Sequence, residues 1–229
     1  MFSKDQLEYT QLPLPDRQLL DDAEMLVRAQ VYRDTMAKRH TVRDYTTQPV
    51  ASEVIEACVA AAGTAPSGAN HQPWHFVAIS DPKIKKQVRD AAEEEERKFY
   101  AGGASDEWIK ALEPIGTNAD KPHLEDAPWL IVVFAQRYGM FDDGTRYKNY
   151  YVPESVGIAT GMLLTALHMA GLATLTHTPN PMKFLGDLLE RPDSEKATMI
   201  ITVGHPSKDA TIPAVAKIKK PLGEILTLR

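Results

Sequence analysis

The stretch "PWLIVVFAQ", residues 128–136, decides the fold. From Leu130 to Ala135 it is continuously apolar and rich in β-branched residues, and it is too short for a core helix. That reads as a strand buried on both faces. Such a strand needs cover above and below, and the flanking chain has the patterns to supply it. Helices are expected near 17–38, from Ser52 to Gly63, from Asp81-Pro82 to about Phe99, over about 153–170, and over 183–190. Ser52 is the expected cap of the second, and Asp81 followed by Pro82 opens the third. Strand-like runs "HFVAIS" (75–80), "ATLTHT" (173–178) and "ATMIITVGHP" (197–206) alternate with these helices. The alternation implies one layered α/β or α+β domain over residues 1–229. The proline-punctuated residues 1–16 form an arm, and 206–229 a weakly periodic extension. The first helix and this tail suit packing against a second copy of the chain.

Composition narrows the class. The 229 residues include 43% hydrophobic and 25% charged side chains, enough for a core without staples. The net charge of −5 is interspersed, which gives no nucleic-acid or anionic-membrane surface. One cysteine, Cys58, rules out an internal disulfide and a cysteine-based zinc site, and it reads as a small core residue. No apolar run reaches membrane-spanning length and the N-terminus is no signal peptide, so a cytoplasmic location is expected.

Several segments can carry chemistry. "RHTVRDY" sets Arg39, His40, Thr41 and Arg43 within five residues. Guanidinium groups with a neighbouring hydroxyl suit phosphate, and a surface connection is the plain alternative. "APSGAN" (65–70) supplies Ser67, Gly68 and backbone N–H groups in a tight turn. It is neither a nucleophile elbow nor a P-loop, and no dinucleotide fingerprint occurs in the chain. His71 and His75 straddle a proline without a third ligand, so no metal is expected and the histidines read as structural or surface residues. Thr174, Thr176 and Thr178 alternate along one strand face; threonine's strand propensity alone explains them, yet a strand end can also aim hydroxyls at a cofactor.

The acidic run "EEEERKFY" (93–100) looks like a solvated helix face. On a helical wheel Ile84, Val88, Ala91 and Phe99 form the apolar stripe, with Glu95 inside it. Glu96 and Tyr100 meet at i, i+4 on its flank. From the residues alone, a solvated flank and the edge of a binding site both remain open.

Taken together, "RHTVRDY", "AGTAPSGANHQPWHF", "EEEERKFY", "GTNADK", "TLTHTP" and "VGHPSKDAT" resemble the nitroreductase superfamily of FMN proteins, and within it the iodotyrosine deiodinases. The resemblance runs from about Arg39 to the C-terminus. It implies a three-layer sandwich with a mixed central sheet, and a homodimer with exchanged terminal arms and two FMN sites at the interface. It further implies that Arg39, His40, Thr41 and Arg43 hold the FMN phosphate, with His40 where many relatives have arginine and Lys219 standing for a tail arginine. Pro66, Ser67 and Gly68 would lie along the flavin, as would Thr176, His177 and Thr178, with Thr178 the catalytic donor to flavin N5. The Ala69 N–H would meet a substrate phenolate, while Glu96, Tyr100 and Lys121 would hold the zwitterion of a halotyrosine under a lid over 93–121. The implied reaction is reductive dehalogenation of iodo-, bromo- or chlorotyrosine by single-electron transfers, with NAD(P)H or another reductase system as electron source. A general NAD(P)H-dependent nitroreductase or quinone reductase is the alternative, and a non-catalytic flavin or halotyrosine binding protein a further one. Relatives in animals carry an N-terminal membrane anchor that is missing here, so a soluble, bacterial member is expected.

Overall fold

The computed structural model describes residues 9–16 and 18–229. In chain order the first elements are α1 (Asp22–Met36), α2 (Ser52–Gly63), β1 (Trp74–Ile79), α3 (Pro82–Lys98), α4 (Asp106–Leu112) and α5 (His123–Asp126). They are followed by β2 (Trp129–Gln136), β3 (Tyr138–Met140), β4 (Arg146–Lys148), α6 (Val152–Met169), β5 (Ala173–His177), α7 (Phe184–Leu188), β6 (Glu195–Gly204) and α8 (Leu222–Ile225).

β2 is a central strand of a four-stranded sheet ordered β1-β2-β6-β5. Leu130 to Phe134 are fully buried, and alternation sends them to two different cores. Ile131, Val133 and Ala135 pack with Ile55, Cys58 and Ala62 of α2 and with Val156, Leu163 and Leu167 of α6. Leu130, Val132 and Phe134 pack with Val88 and Ala92 of α3 and with Leu185 of α7. A continuous apolar strand therefore yields three layers. Phe134 is fully buried, and truncating it to alanine should cost about 3–5 kcal/mol.

All ladders within this sheet are antiparallel. The mixed character expected of it reduces to one parallel bridge, Thr41 to Thr174, which lays the 39–43 segment beside edge strand β5. A second correction concerns Ser52. Ala51 is the cap residue of α2 and makes no side-chain bond, while Ser52 is already helical and its hydroxyl donates to Glu53. The start is set by packing: Trp129 Nε1–H donates to the Val50 carbonyl at 2.8 Å. Asp81 does cap α3, accepting from the Lys83 N–H at 2.7 Å. Gly171 takes a positive φ of 82° just after α6, as expected of a helix stop.

Of the arm expected over 1–16, residues 1–8 lie outside the described residues; 9–16 are exposed. α1 starts at Asp22, capped by Asp21, and buries none of its residues. The tail is similarly unpacked, with Ile218, Leu222, Ile225 and Leu228 all more than 60% exposed. Among the described residues no helix is long and apolar enough to cross a membrane.

Candidate active site

α3 decides the geometry of the site. Its buried line is Lys85, Val88 and Ala92, and one further step of four from Ala92 reaches Glu96, then Tyr100. Glu96 is thus a continuation of the buried line rather than a residue on its flank, and its side chain is only 14% exposed. The helix then passes into a π-turn over Phe99–Gly103, a form of backbone that concentrates at functional sites. Gly102 sits at φ 122° there, a conformation open to glycine at little cost. After the turn Trp108 closes edge-on against Phe99, with ring centroids 5.0 Å apart.

Beneath this segment lies a cavity of about 570 Å³. Phe99, Trp108, Leu112 and Ile115 supply apolar lining, and Thr176 of β5 and Thr178 just beyond it line the cavity as well. Glu96, Tyr100 and Lys121 line it together, although Lys121 comes from a different part of the chain. Lys121 Nζ lies 3.3 Å from Glu96 and also donates to Thr117 Oγ at 3.0 Å and to the Asn118 carbonyl. Burial pushes the Lys121 ammonium below its ordinary pKa, and Glu96 opposes that. The Tyr100 hydroxyl is buried without a hydrogen bond of regular geometry, although Thr117 lies beside it and moderates the rise that burial causes in its pKa.

His123 and His177 also line the cavity; His177 was expected beside the flavin, whereas His123 was read with the structural or surface histidines. Their rings meet edge-on at 5.9 Å, and both Nε2 atoms are buried without a partner. Burial, with the charges of Lys121 and Arg43 close by, lowers His123 to about 4; burial, with His123, Lys121 and Arg43, lowers His177 to about 3. Both are neutral at neutral pH, so the 3.8 Å approach of His177 to Glu96 is a polar contact and no ion pair. The sequence signal for His123 was weak, since a lone histidine opening a four-residue helix has no pattern.

The basic segment divides. Thr41 and Arg43 line the cavity, whereas Arg39 and His40 do not. His40 accepts from Lys217 Nζ at 3.0 Å, and slight burial together with Lys217, Arg39 and Lys219 lowers its pKa. A knot of cations therefore joins the 39–40 corner to the tail. Lys219 was anticipated; Lys217 was not, although the alternation in "KIKK" places it two residues before Lys219.

The loop of Pro66, Ser67, Gly68 and Ala69 does not line this cavity. It is held on α6 by the Gly68 N–H, which donates to Ser155 Oγ at 3.3 Å, and it is closed on itself where Ser67 Oγ accepts from the Gln72 N–H at 2.9 Å. A Cβ on Gly68 would stand 2.7 Å from the Tyr150 carbonyl oxygen. Ala69, Asn70 and Gln72 all adopt positive φ near 50°, a strain that packing must sustain. Cys58 is buried with its thiol pKa raised by burial, a core residue as expected. Among the described residues no cluster of three or more His, Cys, Asp or Glu is arranged for a metal ion.

The residues present fit a flavin mononucleotide in two respects. The cation knot suits a phosphate, and the exposed hydroxyls of Thr176 and Thr178 border a cavity of suitable character for a planar aromatic pair. This architecture is that of the nitroreductase family, whose model matches residues 36–205, and the chain belongs to that family. Within it the chain belongs with the iodotyrosine deiodinases. It is 50% identical to the iodotyrosine deiodinase of Haliscomenobacter hydrossis over 86% of this chain and 89% of the relative. Against human iodotyrosine deiodinase 1 the identity is 42%, over 90% of this chain and 71% of the relative. A crystal structure of an oxidised iodotyrosine deiodinase bound to FMN and 3-iodo-L-tyrosine superposes with a TM-score of 0.67 at 31% identity, covering 77% of this chain and 90% of that one.

Proposed function

We propose that this protein is an FMN-dependent reductive dehalogenase of halotyrosines. The observation that carries the reading is the opposed pair Glu96 and Lys121, 3.3 Å apart in a cavity that also holds the unpartnered Tyr100 hydroxyl. A zwitterion needs an anion for its ammonium and a cation for its carboxylate. Glu96 would take the first and Lys121 the second, each exchanging its present partner for the ligand. Unpaired charges at this depth are costly, so removing either residue would leave the other as a buried charge without its partner. A nitroaromatic substrate could offer Lys121 only a weak nitro acceptor and has no ammonium for Glu96, which argues against a general nitroreductase.

Bound FMN, when reduced, would supply the two electrons, singly, that with one proton replace the carbon–halogen bond by carbon–hydrogen and release halide. The chain's own residues bind, orient and exclude water. Thr178 would donate its hydroxyl to flavin N5, with Thr176 and His177 along the same edge. Arg39, His40, Lys217 and Lys219 would hold the phosphate, Thr41 would support it, and Arg43, which parts from that knot, would face the ring system. Within the lid expected over 93–121, Phe99, Trp108, Leu112 and Ile115, which line the cavity, would close over the substrate ring.

The remaining part of the site would come from a second copy. Pro66, Ser67, Gly68 and Ala69 lie outside the cavity of their own chain, so the loop would serve the partner's flavin, with the Ala69 N–H meeting the phenolate. A homodimer is supported by surface. Leu26, Val27 and Val31 of α1 are each more than half exposed, as are Ile218, Leu222 and Ile225 of the tail. A cytoplasmic location and an NAD(P)H-linked reductant complete the proposal.

The test is anaerobic. Photoreduced holoprotein mixed with 3-iodotyrosine should reoxidise with stoichiometric tyrosine and iodide. Reoxidation by a nitroaromatic but not by iodotyrosine would favour the nitroreductase; binding of iodotyrosine without turnover would leave only a binding protein.

A further inference from the structure

Lys121 sits on a loop, and a loop residue needs something to fix where its charge falls. The fixing group is Glu93, one turn before Glu96 on the same helix. Glu93 Oε1 accepts from the backbone N–H of Lys121 at 2.8 Å and from Arg89 Nε at 2.8 Å. Arg89 reaches on to Glu125 Oε2 at 3.1 Å, on α5, just beyond the Lys121 loop. The Glu93 side chain is 13% exposed, so this is no solvated surface pair. Burial pushes its carboxyl up, yet the Arg89 and Lys121 bonds hold it below the ordinary range.

We infer that Glu93, braced by Arg89 and Glu125, is a positioning residue that sets the separation of Glu96 and Lys121 and so selects the amino-acid end of the substrate. One carboxylate ties the backbone of the cation's loop to the helix that carries the anion. Glu93 does not line the cavity; its effect is on where Lys121 stands. The inference rests on the halotyrosine reading of the site, and the experiment separates the two.

Holoenzyme variants Glu93→Ala, Glu93→Gln and Arg89→Met would be compared with wild type on 3-iodotyrosine and on 2-iodophenol, which has no zwitterion. Glu93→Ala should raise KM for iodotyrosine about ten- to hundredfold, since a misdirected charged hydrogen bond is worth that much. Its kcat and its constants for iodophenol should stay near wild type, as should FMN content. Glu93→Gln keeps an acceptor for the Lys121 N–H and should restore most of the affinity. Amide exchange at Lys121, read by mass spectrometry without substrate, should accelerate in Glu93→Ala and much less in Glu93→Gln. Unchanged iodotyrosine KM, equal losses on both substrates, or unchanged exchange would each overturn the role. If wild type fails on iodotyrosine while exchange behaves as stated, the substrate reading falls and the bracing of Lys121 stands.

Discussion

Among the acids of residues 93–96, Glu96 differs from Glu94 in the company it keeps. Glu94 pairs with Lys98 on an exposed face, whereas Glu96 faces a buried ammonium. Exchanging Glu96 for glutamine should weaken iodotyrosine binding by about two orders of magnitude while FMN stays bound, and Lys121→Ala should do the same, because each leaves a buried charge without its partner. Flavin fluorescence quenching on titration reads both. A ligand with only one of the two charges should fare badly: iodotyramine would occupy Glu96 and strand Lys121, so it should bind more weakly than neutral iodophenol. The two cavity histidines predict a pH effect on folding. Their folded pKa values of about 3 and 4 lie below the unfolded value near 6.5, so below that value the unfolded chain binds more protons. Stability should therefore be intact above about pH 6.5 and fall as pH drops toward 4, by about 1.4 kcal/mol per unit for each ring at the steepest. Urea titrations at several pH values measure the slope, and His177→Gln should remove its share.

At the scale of elements, the π-turn after α3 sets how the aromatic wall meets the charged pair. Gly102 at φ 122° has open space where a Cβ would go, so Gly102→Ala tests backbone conformation alone. It should cost about 1–3 kcal/mol locally and raise KM for iodotyrosine through a misplaced lid, with FMN affinity unchanged by equilibrium dialysis. The elements themselves were largely legible. An apolar strand with two buried faces, capped helices and glycine stops each reduce to local rules, and β2, α3 and α6 lie within a residue or two of where the pattern puts them. What escaped depends on neighbours distant in the chain. Ser52 looks like a cap until the Trp129 bond to Val50 starts the helix earlier, and the hairpin of β3 and β4 has strands too short to show alternation. The site divides likewise. Glu96 on α3 and Tyr100 in the π-turn that continues it are found by counting; Lys121, His123 and Lys217 join them or His40 only through tertiary folding, so spacing alone could not reveal them.

For the whole molecule, the telling fact is that the Gly68 loop is tied to α6 through Ser155 while the cavity it would complete lies elsewhere. In the proposed dimer each catalytic centre then draws its cavity from one copy and its loop from the other. Two inactive chains of different kinds should therefore rescue one another. Lys121→Ala ruins a cavity; Gly68→Ala, whose Cβ would strike the Tyr150 carbonyl, ruins a loop. When the two are co-expressed, one centre of each mixed dimer inherits both defects and the other inherits neither. With random pairing, half the dimers are mixed, and about a quarter of all centres should work. Activity recovered to that level in the mixture at subsaturating iodotyrosine, far above either parent alone, would make the centre a property of the pair, inherited by neither chain singly.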